Sequence, residues 1–300
     1  MKIILPNMMC LGPLKCGTTT LYTVCEGHPD IMVPSFKEPH FFVDEKKYKK
    51  GLQWYSNTYY SKYNNQKYIS DFTPSYFANE LAIKRISQDL GPDVKLMYVL
   101  RNPAKRSYSH YLHWRRDGLI TEPFVDFLHR IANSSPPQVD KLGRVYYDSL
   151  YDIHLTNLYK YFPDTGNILS LTFEEDIIDN CRLFKQKVST FLNIDESLFA
   201  GDNSEVVKNQ SQSVSGFGLV FKRLINSDNL LKRMVKKSLP DKVRDKVNNF
   251  LNAKINDIFY KEVDDPVDNE TFKQLNNEIF MGSIKNLEGM LDRSFGQWYA

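Results

Sequence analysis

The stretch LGPLKCGTTT, residues 11 to 20, places a lysine between two glycines and ahead of three threonines, a combination suited to holding an anion. Gly12 and Gly17 form a G-x-x-x-x-G frame, but Thr18 stands where an ATP-binding loop carries its lysine; the cation comes early, at Lys15. An apolar run precedes this loop and a helical pattern follows it. That context aims successive backbone N–H groups at one point, Cys16 and Gly17 included, and adds the positive end of a helix. Thr18, Thr19 and Thr20 add hydroxyl donors in the first turn. Without the usual lysine, and with only Asp71 as an arguable acidic strand end, a metal-free transfer from a less highly charged donor is expected rather than magnesium-bound phosphoryl transfer.

Two further constellations carry chemistry. In YVLRNPAKRSYSHYLHWRR, Arg101 closes a strand, Asn102 and Pro103 open a helix, and Ser109 follows two turns in. An extended Arg101 lying along the helix would share one phosphate with Ser109, since a guanidinium fork matches phosphate oxygens. In FKEPHFF, Pro39 biases Glu38 toward an extended backbone, so Glu38 and His40 are expected on the same side of the chain. A carboxylate beside an imidazole is a candidate general base with an orienting partner. Spacing alone also fits a surface glutamate in a proline turn beside a packed histidine.

The elements that must position these groups are legible as alternating patterns. Short apolar runs at 7–12, 67–72, 94–100 and 167–173 read as buried strands. TTTLYTVCEGHP reads as a helix stopped by Gly27 and Pro29, NELAIKRISQDLGP as one stopped by Gly91 and Pro92, and YDSLYDIHLTNLYKYF as another ending before Pro163. Strands alternating with helices predict an α/β, P-loop-like three-layer fold with a central, mainly parallel sheet flanked by helices. The organisation expected is one domain over 1–300, with a helical cover at 203–262 and C-terminal helices at 266–300 packing back on the core.

Composition limits the rest. The 300 residues carry a formal net charge of only +3, which argues against bulk nucleic-acid binding. Cys10, Cys16, Cys25 and Cys181 show neither metal-ligand pairing nor the density of a disulfide scaffold, so a reducing, cytoplasmic location is expected. No segment approaches twenty consecutive apolar residues, so no transmembrane segment is expected.

Together PLKCGTTTL and RNPAKRSYS resemble the sulfotransferases that use 3'-phosphoadenosine 5'-phosphosulfate (PAPS), whose loop of this type binds the 5'-phosphosulfate and whose Arg/Ser segment binds the 3'-phosphate. KEPHFF, SDFTPSYF, FPDTGNILSLTFEED and LDRSFGQWY are similar to the branch containing heparan-sulfate and bacterial carbohydrate sulfotransferases. One position departs: the lysine before TP in the heparan-sulfate enzymes is Phe72 here. The resemblance implies PAPS as co-substrate and adenosine 3',5'-bisphosphate as product. It implies no metal, and an acceptor hydroxyl on a saccharide. Lys15, Gly17, Thr18 and Thr19 would lie at the 5' end of the donor, Arg101 and Ser109 at its 3' end. Glu38 would be the general base, with His40 orienting the acceptor. Lys208 would belong to a late loop closing over the nucleotide. Two other readings stand beside it: a P-loop kinase or related nucleotide-binding enzyme using Gly17 and the following threonines, and a noncatalytic module for anionic glycans or single-stranded nucleic acid using the basic helices and tyrosines.

Overall fold

The computed structural model describes residues 3–134, 140–178, 181–199, 212–214, 260–262 and 266–300. The expected cover at 203–262, with Lys208 and the basic stretches at 230–246, lies outside the described residues except for two short strands. In chain order the elements are β1 (Met8–Cys10), α1 (Thr18–Glu26), β2 (Ile31–Met32), α2 (Glu45–Tyr48), α3 (Gly51–Tyr59), β3 (Tyr68–Phe72), α4 (Glu80–Leu90) and β4 (Lys95–Leu100). They continue with α5 (Pro103–Arg116), α6 (Phe124–Ala132), α7 (Arg144–Tyr147), α8 (Tyr151–Tyr161), β5 (Ile168–Thr172), α9 (Arg182–Leu192), β6 (Gln212–Val214) and β7 (Tyr260–Glu262). The chain ends with α10 (Asn269–Leu275) and α11 (Met281–Leu291).

The chain forms two compact units. The first, Met1–Arg106 with Tyr146–Asn209 and Asn269–Ala300, contains a five-stranded sheet of order β2-β3-β1-β4-β5 in which every pairing is parallel. The second, Ser107–Val145 with Gln210–Asp268, includes α6 and the antiparallel pair β6 and β7. The α/β class with a central parallel sheet and flanking helices is therefore as the sequence predicts. Among the described residues no helix is long and apolar enough to cross a membrane.

A parallel strand buried on both faces must be apolar on both, and alternation then decides which helix each residue meets. Met8, Cys10, Met97, Val99 and Leu171 pack into one cluster with Leu21 and Val24 of α1 and Phe184, Val188 and Leu192 of α9. Met9, Leu96, Tyr98 and Leu100 alternate with them and are equally buried, and Phe77 meets Tyr98 and Tyr151 by ring contacts beyond that second set. The strand β2, two residues long, is too short to leave a pattern in the sequence.

Two local features differ from expectation. The helix expected over 147–162 starts only at Tyr151, because the preceding residues turn. Ser149 is wholly buried there, accepts from Arg106 Nε at 2.5 Å and donates to the Pro103 carbonyl at 3.2 Å. A continuous helix would not free that hydroxyl to brace α5. In the C-terminal segment a π-helical turn over Asn276–Phe280 separates α10 from α11. Its Asn276 side chain accepts from Ala104 N at 3.1 Å and donates to Asn102 Oδ1 at 2.9 Å, fixing the first turn of α5. α11 packs on α8.

The anion loop leaves β1 through Gly12, whose φ of 110° lies where L side chains rarely go. A Cβ there would stand 2.6 Å from Pro74 Cα and closer still to the Pro74 carbonyl oxygen. Gly12→Ala should therefore destabilise the chain by about 2 kcal/mol or more, by clash and backbone strain together. Gly289→Ala, in α11 with open space around it, should stabilise by about 0.5 kcal/mol. Thermal unfolding of the two variants checks the contrast; equal melting temperatures would rule out the close approach at Gly12.

Candidate active site

The loop after β1 and the start of α1 form the first half of the site. Gly17 caps α1 at φ 83°, with no side chain bonded to the cap and no acidic residue in the first turn. The first hydrogen bond within this end runs from Leu21 N to Gly17 O at 3.2 Å, so the N–H groups of Thr18, Thr19 and Thr20 precede the helical ladder. Thr18 and Thr20 are buried, whereas Thr19 is exposed. The Cys16 thiol is wholly buried and pushed by that burial up to about 12, leaving its backbone as the group able to meet a ligand. Lys15 is half-buried and takes a positive φ of 72°.

Arg101 does not lie along α5. Its Nη1 donates to the Lys15 carbonyl at 2.8 Å and its guanidinium carbon stands 4.5 Å from the centre of the Phe173 ring. The reason is local: five donors need acceptors, and the loop carbonyl and an aromatic face are at hand. Arg101 Nε is buried without a hydrogen-bond partner. Phe173 also closes on Gly17, where a Cβ would lie 2.8 Å from its ring. Behind the site, Tyr151 donates to the Arg101 carbonyl at 2.8 Å, and the buried Arg106 reaches the Leu14 carbonyl at 3.5 Å. Ser109 is half-buried on α5 and belongs to the second compact unit.

The second half of the site is the segment 36–42. Glu38 and His40 do meet, with His40 Nε2 at 3.4 Å from Glu38 Oε2, but not on an extended chain. Both residues flanking Pro39 adopt left-handed backbone, at φ 59° and 54°, so the expected geometry is wrong while the juxtaposition holds. Contacts beyond the segment impose that shape. Pro39's carbonyl accepts from Lys47 Nζ at 2.6 Å and Tyr59 Oη at 3.3 Å, and His40 Nδ1 lies 2.9 Å from Ser75 Oγ.

Sequence reasoning missed Lys37, which forms an ion pair with Glu38. It also missed Phe173, Thr73 and Ser75. Adjacency in KEPH was a usable signal for Lys37; the others become neighbours only through the sheet. Burial would raise the Glu38 carboxyl, but hydrogen bonds and charge from His40 and Lys37 outweigh it and hold the group at about 2.

The two halves share one support. Phe77 N donates to Leu11 O at 3.0 Å and Gly12 abuts Pro74, while Thr73 Oγ1 accepts from His40 N at 3.4 Å. Residues 73–77 thus join the anion loop to the carboxylate–imidazole pair. Asp71 sits beneath this segment, wholly buried, and Phe72 points into the core with an edge-on contact to Tyr22.

A carboxyl held low contributes stability that is fully present above its ordinary value of 4.5 and is lost as pH falls through about 2. Lys37→Met removes one of the two groups responsible. Carboxyl-carbon NMR should show the Glu38 titration moving up toward the ordinary value in that variant; an unmoved titration would mean Lys37 does not hold it down.

Comparison with known proteins identifies the family of the chain. Heparan sulfate glucosamine 3-O-sulfotransferase 6 of Mus musculus is 33% identical over 160 residues, covering 53% of this chain and 44% of that protein. Bifunctional heparan sulfate N-deacetylase/N-sulfotransferase 2 of Bos taurus is 32% identical over 179 residues, 57% of this chain and 20% of that protein. The chain thus spans less than half the length of these relatives. The crystal structure of a sulfotransferase from Alicyclobacillus acidocaldarius has the same fold, with a TM-score of 0.63 at 18% identity over 99% of this chain and 100% of that one. Residues 5–275, from β1 through the anion loop to α10, match the sulfotransferase domain, and the chain belongs to that family.

Proposed function

We propose that this protein transfers a sulfuryl group from PAPS to an acceptor hydroxyl on a carbohydrate or glycoconjugate, by in-line displacement with Glu38 as general base. The observation that supports the reading is that residues 73–77 contact both the loop at 11–17, whose Lys15 carbonyl holds Arg101 and which opens an uncapped helix, and the segment bearing Glu38 and His40. Similarity to heparan sulfate sulfotransferases supports a saccharide acceptor.

The residues present fit such a donor. Uncapped N–H groups at Thr18, Thr19 and Thr20 and the backbone of Cys16 and Gly17 suit the 5' end. Arg101, with a buried Nε lacking a partner and a guanidinium already seated on Phe173, suits the 3'-phosphate. When bound, the donor supplies the sulfuryl group and leaves as adenosine 3',5'-bisphosphate. The Lys15 ammonium then stabilises negative charge growing on the leaving phosphate.

On the acceptor side, Glu38 takes the hydroxyl proton as the oxygen attacks, and His40 orients the acceptor. Lys37 and His40 hold this carboxyl low, so weakening the Lys37 contact would make Glu38 a stronger base. No protein-bound metal enters these steps. Four free, buried cysteines support a reducing, cytoplasmic setting.

Titration calorimetry with adenosine 3',5'-bisphosphate should show much tighter binding than 5'-AMP, and Arg101→Ala should erase the difference. Magnesium-dependent ATP binding in its place would replace this reading with a kinase. Lys15→Ala should lower turnover by roughly a hundredfold or more with the bisphosphate still bound. Normal turnover in the folded variant would remove Lys15 from the chemistry.

A further inference from the structure

Asp71 is a carboxylate beside the site that the chemistry above leaves unused. It is wholly buried near the end of β3, where an ionised group costs several kcal/mol unless hydrogen bonds compensate. Three hydroxyls provide them: Tyr55 Oη at 2.5 Å, Thr73 Oγ1 at 2.6 Å and Tyr76 Oη at 3.1 Å. Even so, desolvation pushes its carboxyl up from 3.8 to about 6. A raised carboxyl binds its proton more tightly folded than unfolded, so stability falls as pH climbs from 3.8 through 6. The ionised group is thus a cost to the fold at neutral pH.

Each of the three donors leads on to a consecutive residue of the catalytic segment. Thr73 Oγ1, while donating to Asp71, accepts from His40 N at 3.4 Å. Tyr76 Oη does the same for Phe42 N at 3.4 Å. Tyr55 stacks on Phe41 with centroids 4.2 Å apart and planes 9° from parallel. A carboxylate accepts only, which orients both bridging hydroxyls so that their lone pairs face the His40 and Phe42 N–H groups. That grip holds backbone which the left-handed φ at Glu38 and His40 would otherwise relax.

We propose that Asp71 is a positioning residue for the reaction: through Thr73, Tyr55 and Tyr76 it clamps residues 40 to 42 and thereby presents the His40 imidazole to Glu38. The inference rests on Glu38 and His40 serving the acceptor, but its test does not depend on turnover.

The test compares wild type with Asp71→Asn in the full chain, with His40 ring resonances read by histidine-selective NMR in each, with and without Glu38→Gln. In wild type, Glu38→Gln should shift the His40 ring signals; on the Asp71→Asn background the shift should vanish, while adenosine 3',5'-bisphosphate binds within about twofold of wild type. In sulfate transfer from PAPS to a desulfated heparin oligosaccharide, kcat should fall roughly tenfold to a hundredfold with the donor KM unchanged. An intact His40 response in folded Asp71→Asn would overturn the proposal. Should Asp71→Asn fail to fold, Thr73→Val carries the same comparison, with Thr73→Ser expected to restore the response; equal behaviour of Val and Ser would overturn it as well. Failure of the bisphosphate to bind wild type would instead overturn the donor assignment, leaving the NMR comparison to decide the role of Asp71.

Discussion

The close approach of Gly12 to Pro74 is the contact on which the site depends. β1 lies between β3 and β4, so the loops leaving β1 and β3 emerge side by side. Only a residue without a Cβ lets them touch, and the Phe77 to Leu11 backbone bond then fixes their separation. The anion loop and the segment that carries Glu38 and His40 are both referenced to residues 73–77. A shift there would move Lys15 and Arg101 relative to Glu38 and His40.

Two carboxylates a short chain apart end up with opposite properties. Glu38, between Lys37 and His40, is held far below the ordinary range, whereas Asp71, under Tyr55 and Tyr76 and away from water, is pushed above it. Environment, not residue type, separates their roles. One faces the solvent side of the site and the other faces hydroxyls only. The same logic applies to the cysteines: Cys10 and Cys16 are raised to about 12 by burial, so they serve as small apolar packing beside reactive groups.

The basic side chains near the loop divide in a similar way. Arg106 is wholly buried and holds Ser149 and the Leu14 carbonyl, which stiffens the floor. Arg101, half-buried over Phe173, keeps donors to spare. Both stand on RNPAKR, and strand exit and helix phase alone assign one to the floor and the other to the rim.

The sequence by itself determined the parallel α/β architecture, because buried strands need continuous apolar runs and helices need their caps and breakers at fixed places. It determined the strand–loop–helix at 8–26 for the same reason: G-x-x-x-x-G with Lys15 and the threonines is a local motif whose backbone follows from its flanking strand and helix. The helix over Phe124–Ala132 was not among the elements read from the sequence, although Phe124, Phe127, Leu128 and Ile131 are its buried face. Only the tertiary structure decided how Glu38 and His40 meet, since their left-handed backbone is imposed by Tyr59, Lys47 and Thr73 from other elements. It also decided that Arg101 turns to Lys15 and Phe173, and that Asp71 lies beneath three hydroxyls. Those facts depend on strand order, which places β1 beside β3 and β4, and no short window of sequence encodes which strands become neighbours.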